Sequence, residues 1–179
     1  LPVVIDEDIA LVAKYQKGEQ AALNTLLLKY QKPLYNFIWR KTNNISIADE
    51  IVQELSLKIF ENIRRFSPER QGSFRKWVYQ IALNLCYDHF RYKQKVKTIE
   101  GELKDRQAKK VMFQENHVGA AMMAEEMLAQ LPEEQKEVVL LKIYSGLTFR
   151  EIADITECPL NTVISRMHYA LKLLRKKTK

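Results

Sequence analysis

The sequence has few of the residues that mark an enzyme, a secreted scaffold or a membrane protein. It has two cysteines, Cys86 and Cys158, each in an apolar helical setting. They read as buried thiols rather than as a disulfide or a metal pair. Its three histidines, His89, His117 and His168, are scattered, with no HExxH, no CxxC and no glycine-rich phosphate loop. None of the motifs with a stated catalytic or metal-binding mechanism is present. No catalytic residue, metal, cofactor or small-molecule substrate is therefore expected. Five glycines and five prolines in 179 residues suit helices joined by short connections. No apolar run is long enough to span a bilayer. The first residues are acidic at Asp6, Glu7 and Asp8 and lack a secretory pattern, so a cytoplasmic protein without membrane insertion is expected.

What is present is a globular composition, 46% hydrophobic and 28% charged, with a net charge of +7 and a pI near 9.3. A basic excess points to nucleic acid or another polyanion. The charge is unevenly placed: Arg64 to Lys97 holds nine Lys or Arg against Glu69 and Asp88, which accounts for the whole net +7. A second basic run, Lys172, Arg175, Lys176, Lys177 and Lys179, closes the chain. Two basic zones suggest two contacts with one long polyanion.

Apolar periodicity predicts an all-α fold of two small helical domains, the second carrying a helix-turn-helix. Helices are expected over 6–16 and 20–40, then a polar stretch over 41–46 and a helix over 47–63. Arg64 to Ser73, with Pro68 and Gly72, reads as a loop, and Phe74 to about Lys95 as a long helix. The expected domains are 1–95 and 120–179. A linker over 96–119, polar and weakly periodic, joins them and is expected to be flexible. Leu131-Pro132 ends the first of about four helices in the second domain.

Leu147 to Arg166 reads as a short helix, a tight turn and a second helix. Thr148 and Glu151 form a capping-box pair. Phe149, Ile152, Ala153 and Ile155 share one face, and Pro159 sits where the second helix begins. Val163 and Met167 turn inward. Asn161, Thr162, Ile164, Ser165, Arg166 and His168 are left for the outer and flanking faces, and such side chains read base edges or hold phosphates. On this segment alone, an ordinary helical hairpin with polar outer faces is the alternative.

Three further segments carry a resemblance: Ala48-Asp49-Glu50-Ile51-Val52-Gln53-Glu54-Leu55, Phe74 to Asn84, and Leu131-Pro132-Glu133-Glu134-Gln135. With the helix-turn-helix, in this order and spacing, they resemble bacterial RNA polymerase sigma factors. The similarity is to the extracytoplasmic-function group of the sigma-70 family and covers nearly the whole chain outside the linker. The resemblance implies a factor that binds core RNA polymerase, directs it to promoters and promotes initiation. It implies promoter DNA, duplex and melted, as a partner, and an anti-sigma protein as regulator. It puts Asp49, Glu50, Gln53 and Glu54 on the polymerase, although a solvated acidic face is the alternative for that segment by itself. It puts Arg70, Gln71, Ser73, Arg75, Lys76, Tyr79, Gln80, Asn84, Asp88 and Arg91 on the minus-ten element, with the loop 67–73 where the family captures a flipped base. Trp77 has two readings, a stacking platform or core, and its neighbours Val78 and Ile81 favour core. Arg150, Asn161, Thr162, Ile164, Ser165, Arg166, His168 and Tyr169 fall on the minus-thirty-five element. The linker, basic through Lys104, Arg106, Lys109 and Lys110, would thread near the polymerase active centre.

The chain departs from the family at three places. Ile164 and Tyr169 stand where basic residues are frequent, which implies different base preferences. Glu157 stands where many helix-turn-helix turns carry glycine, which leads to the expectation of a different turn conformation there. Two rivals remain at this point. One is a helix-turn-helix regulator with an unrelated helical sensor domain. The other is a helical adaptor that binds only protein and would show no salt-dependent DNA binding.

Overall fold

The computed structural model describes residues 6–99 and 125–177, and every regular element among them is a helix. The chain divides into two compact units, Leu1–Arg91 and Tyr92–Lys179. Most of the linker expected over 96–119 lies outside the described residues, but its first part does not. The preceding helix runs on to Ile99, four residues past the expected end.

In the first unit, α1 (Glu7–Gln16) starts where the Asp6 carboxylate accepts the Asp8 N–H at 3.0 Å, and Glu7 and Asp8 face the positive helix end. α2 (Gln20–Thr42) supplies Leu23, Leu26, Tyr30, Leu34, Phe37 and Ile38 to the core. It stops at Asn43, whose N–H still reaches the Trp39 carbonyl at 2.7 Å while its left-handed φ of 52° turns the chain out of the helix. Asparagine tolerates that conformation better than most side chains. The next residue, Asn44, caps α3 (Ile45–Asn62) by accepting the Ile47 N–H at 3.1 Å. The polar stretch expected over 41–46 thus shrinks to two asparagines, one ending a helix and one beginning the next.

α3 turns Ala48, Ile51, Leu55 and Ile59 inward. A 3₁₀ turn (Ile63–Arg65) and a one-turn helix, α4 (Pro68–Gln71), replace the loop expected over 64–73, with Pro68 in the first turn and Gly72 closing it at φ 76°. α5 (Phe74–Ile99) then packs on α2: Phe74 meets Tyr30 edge-on at 5.5 Å, and Tyr79 meets Phe37 at 5.3 Å. Such pairs contribute about 0.5–1.5 kcal/mol each beyond their burial. Asp8, 3% exposed, ties α1 to α2 through Lys29 Nζ at 2.6 Å and the Tyr30 hydroxyl.

The second unit contains α6 (residues 125–129), α7 (Glu133–Ile143), α8 (Phe149–Ile155) and α9 (Leu160–Lys177). Val138, Val139, Leu140 and Leu141 of α7 are all buried, at 0–1% exposure, so this short helix is enclosed on most sides. α8 and α9 pack against it through Ile152, Ile155, Val163 and Ala170.

Candidate nucleic-acid interface

In the first unit the side of α3 away from the core is open. Asp49, Glu50, Gln53 and Glu54 are all exposed, while Ile51 and Leu55 are buried. Tyr35 of α2 hydrogen-bonds to Asp49, and burial with that carboxylate raises its hydroxyl above the ordinary range. Glu54 makes a 3.5 Å ion pair with Lys58 one turn on, a contact with little energy at such exposure. Leu57 and Phe60, 63% and 59% exposed, continue this face by one and two turns. The buried stripe of the helix does not include them, so periodicity alone passes over both. The available signal is an apolar residue off that stripe: Leu57, two positions from both Leu55 and Ile59, and Phe60, one after Ile59.

The region from Ile63 to Ser73 is fastened at both ends. Gln16 of α1 donates its side-chain amide to the carbonyls of Ile63 at 3.1 Å and Phe66 at 2.9 Å. Within the turn, Gln71 Oε1 accepts the Ser67 N–H at 2.8 Å, and the Ser67 hydroxyl donates to the Glu69 carboxylate. Ser73 Oγ accepts the Lys76 N–H at 3.1 Å and caps α5. Gln71 and Ser73, both expected at DNA, therefore also build the turn, whereas Arg70 is exposed.

Beside this turn lies an open cleft of about 210 Å³ lined by Lys58, Asn62, Arg65, Gln71, Trp77 and Ile81. Trp77 is 8% exposed and packs on Phe66 at 5.2 Å and Phe74 at 5.5 Å. It is a buried core residue, the reading that Val78 and Ile81 favour, and it also lines the cleft. Lys58, Asn62 and Arg65 are additions to the expected set, since they reach the cleft from α3 and the 3₁₀ turn.

Along α5, Lys76 and Gln80 are half-buried and Arg75, Asn84, Asp88 and Arg91 exposed, with Asp88 and Arg91 ion-paired. Tyr79 is a correction. It is 1% exposed, its ring packs on Phe37, and burial pushes its hydroxyl up to about 12. It cannot present a face to a base. The open stripe runs through Lys76, Gln80, Asn84, Asp88 and Arg91. Tyr79 lies one turn after Arg75, on the side of α5 that packs on α2, where Arg75 itself bonds to Tyr30.

In the second unit the capping box is formed: Thr148 Oγ1 accepts the Glu151 N–H at 3.2 Å, and Glu151 Oε2 accepts the Thr148 N–H at 2.9 Å. Arg150 is exposed in this first turn. Lys142 donates to the Leu147 carbonyl at 3.0 Å and lies 5.0 Å from the Phe149 ring, bracing the entry to α8. At the turn, Glu157 takes a φ of 52°. The different conformation expected there is not found; the side chain sits in the left-handed region that glycine would favour. Pro159 falls just before α9, its carbonyl accepting the N–H groups of Thr162 and Val163.

On α9, Asn161, Ile164, Ser165, His168, Lys172 and Arg175 are exposed and recur at helical spacing, making one open stripe, with Tyr169 exposed at its edge and Thr162 half-buried. Arg166 differs from the others expected at DNA. Its Nη2 lies 2.7 Å from Glu134 Oε2 and its Nη1 donates to Cys158 Sγ at 3.2 Å. It clamps α9 to α7 and to the turn. Neither cysteine is in a disulfide; Cys86 is buried and Cys158 half-buried.

Among the described residues no group of His, Cys, Asp and Glu is placed to hold a metal, and no helix is long and apolar enough to cross a membrane. The two bodies thus present an acidic and amide face, a basic cleft with an aromatic wall, and a helix-turn-helix. These features fit the class of DNA-binding proteins. Comparison with known proteins agrees with this class. The Sigma-70 region 2 family matches residues 26–96 and the Sigma-70, region 4 family residues 121–174. The chain is 28% identical over 193 residues to the ECF RNA polymerase sigma-E factor of Haemophilus influenzae, covering 95% of this chain and 94% of that one. It is 26% identical over 184 residues to the RNA polymerase sigma-H factor of Pseudomonas aeruginosa, covering 96% and 93%. Its fold is similar to that of the sigma factor RpoE from Bartonella quintana, solved with the anti-sigma factor NepR, at a TM-score of 0.72 and 21% identity over 86% of this chain and 94% of that one. The chain belongs to the sigma-70 family, in its extracytoplasmic-function group. It is a promoter-specificity factor that acts by binding RNA polymerase.

Proposed function

We propose that each face has a separate task in initiation. The α3 face docks on core polymerase: Asp49, Glu50, Gln53 and Glu54 meet basic groups of the partner, and Leu57 and Phe60 supply the apolar contact that such an interface needs at its centre. The cleft beside α4 takes a base that has left the stack, with Trp77 as its wall, Asn62 and Gln71 as hydrogen-bonding groups and Lys58 and Arg65 near the phosphates. Arg70, Arg75, Lys76, Gln80, Asn84 and Arg91 hold the same strand, while Asp88 serves to orient Arg91. α9 enters the major groove of the minus-thirty-five element with Asn161, Thr162, Ile164, Ser165 and His168 toward bases, and Tyr169, Lys172 and Arg150 toward phosphates. Arg166 positions α9 and does not read bases.

The chain performs no covalent step. Contacts to the polymerase, to the upstream element and to the unstacked bases offset the cost of unpairing, which amounts to a few kcal/mol per base. It works where polymerase works, in the cytoplasm. An anti-sigma protein is its proposed regulator, in line with the complex in which the related RpoE was solved.

The observation that carries this reading is the order of the two matched family regions, each on a compact unit with its own open polar face. Titration of the labelled chain with core polymerase tests it. Replacing Asp49, Glu50 and Glu54 together by Ala, or Phe60 alone, is expected to weaken binding at least tenfold, as for central interface residues. Asn161→Ala with Ser165→Ala is expected to leave core binding unchanged and to lower promoter binding. Unchanged core affinity in both α3 variants would show that this face meets only solvent.

A further inference from the structure

We infer that Ile164 reads the 5-methyl group of a thymine in the upstream promoter element. The inference rests on the reading of α9 as the helix that enters the major groove. Single exposed apolar residues are ordinary on protein surfaces, but the setting of this one is not. Ile164 is 43% exposed within a stripe of polar groups, with Asn161 one turn before it, His168 one turn after and Ser165 beside it, all exposed. It cannot be taken up by the core, because the neighbouring Val163, at 0% exposure, already fills that side of the helix. The α9 start is fixed as well, by the clamp of Arg166 on Glu134 and Cys158.

The major groove offers donors and acceptors at every base pair and one apolar group, the thymine methyl. Facing any other base edge, isoleucine would strip water from polar atoms and return no hydrogen bond, which disfavours that pairing. Facing thymine, it buries one methyl. Asn161 and Ser165 on either side supply the hydrogen bonds that hold the register. Ile164 is thus a selector by exclusion as much as by attraction, and the basic residue frequent in relatives at this place would favour different base edges.

The test uses the full chain bound to core polymerase and a pool of duplex DNA randomised upstream of a fixed minus-ten segment. The wild-type complex is expected to enrich a T·A pair at one position that the Ile164→Ala complex no longer enriches, with the other positions unchanged. Ile164→Val, which keeps the apolar contact, is expected to restore it. Deoxyuridine in place of that thymine removes only the methyl. It should lower wild-type affinity about fourfold, the worth of one buried carbon, and leave the Ile164→Ala complex unaffected. An unchanged consensus for Ile164→Ala, or an equal deoxyuridine effect on both proteins, would overturn the inference while leaving the promoter-factor reading in place. If the wild-type complex forms but enriches no sequence, α9 does not read DNA and both readings fall.

Discussion

Tyr79 is the residue whose burial has the clearest consequence for stability. A tyrosine in an unfolded chain titrates near 10, and burial in the folded chain outweighs the opposite pull of Arg75 and raises Tyr79 to about 12. The neutral phenol is therefore the form the fold prefers. The stabilisation is fully present below about pH 10 and is lost as pH rises through the window from 10 to 12, a change of roughly 2–3 kcal/mol. Tyr79→Phe is expected to keep the fold and promoter opening and to flatten that share of the alkaline loss, which thermal melts between pH 9 and 11 would show. A loss of DNA opening in this variant would instead restore the base-contact role. Glu157 makes a second prediction at this scale. A side chain at a φ of 52° costs about 1–2 kcal/mol, and glycine would give back part of that as chain entropy. Glu157→Gly is expected to stabilise the second unit by up to about 1 kcal/mol, seen as a higher melting temperature of that unit with unchanged core binding.

Among the elements, the segment from Ile63 to Gln71 depends most on a partner distant in sequence. Gln16 donates to two of its carbonyls, each bond contributing about 0.5–1.5 kcal/mol. Gln16→Ala should speed hydrogen exchange across 63–71 and leave α9 unchanged. Gln16→Glu should be worse, because a carboxylate sets acceptors against carbonyl oxygens. Equal exchange in all three proteins would show that the turn holds itself. This segment also shows what the sequence could not reveal. Long helices with repeating apolar residues, such as α2, α3 and α5, are legible because 3.6-residue periodicity accumulates over many turns. A one-turn helix such as α4 gives periodicity nothing to count, so Pro68 and Gly72 speak only for a loop. The capping box of α8 is legible because both partners sit within four residues. The clamp of Arg166 is not, since Glu134 lies on another helix and only the fold brings them together. Tyr79 misleads for a related reason: a spacing of three or four does not say which side of a helix faces the core when its own residues are mixed.

For the whole molecule, the net charge of +7 describes a field more than a set of contacts, and salt is the way to measure it. Each phosphate neutralised adds about 0.9 to the slope of log affinity against log salt for duplex DNA. Replacing Lys172 and Arg150 by Ala should lower the salt slope of promoter binding by roughly one for each phosphate no longer held, and weaken binding uniformly across sequences. A loss that varies with sequence and leaves the slope unchanged would place these residues at bases. The acidic face of α3, whose proposed partner is protein, is expected not to follow this law.

The open stripe of α9 runs on without a break from Asn161 to Lys172 and Arg175, on one helix that ends at Lys177. The proposed base-reading groups and the basic residues behind them therefore share a single angular phase, set by about 100° per residue. One residue inserted after His168 would swing Lys172 and Arg175 about the axis, off the side that Asn161, Ile164 and Ser165 face. Four inserted residues would nearly restore the phase but move the grip about one pitch further along the groove. In the proposed role the helix is a ruler as well as a reader, and its length and winding fix how far from the bases the backbone is held.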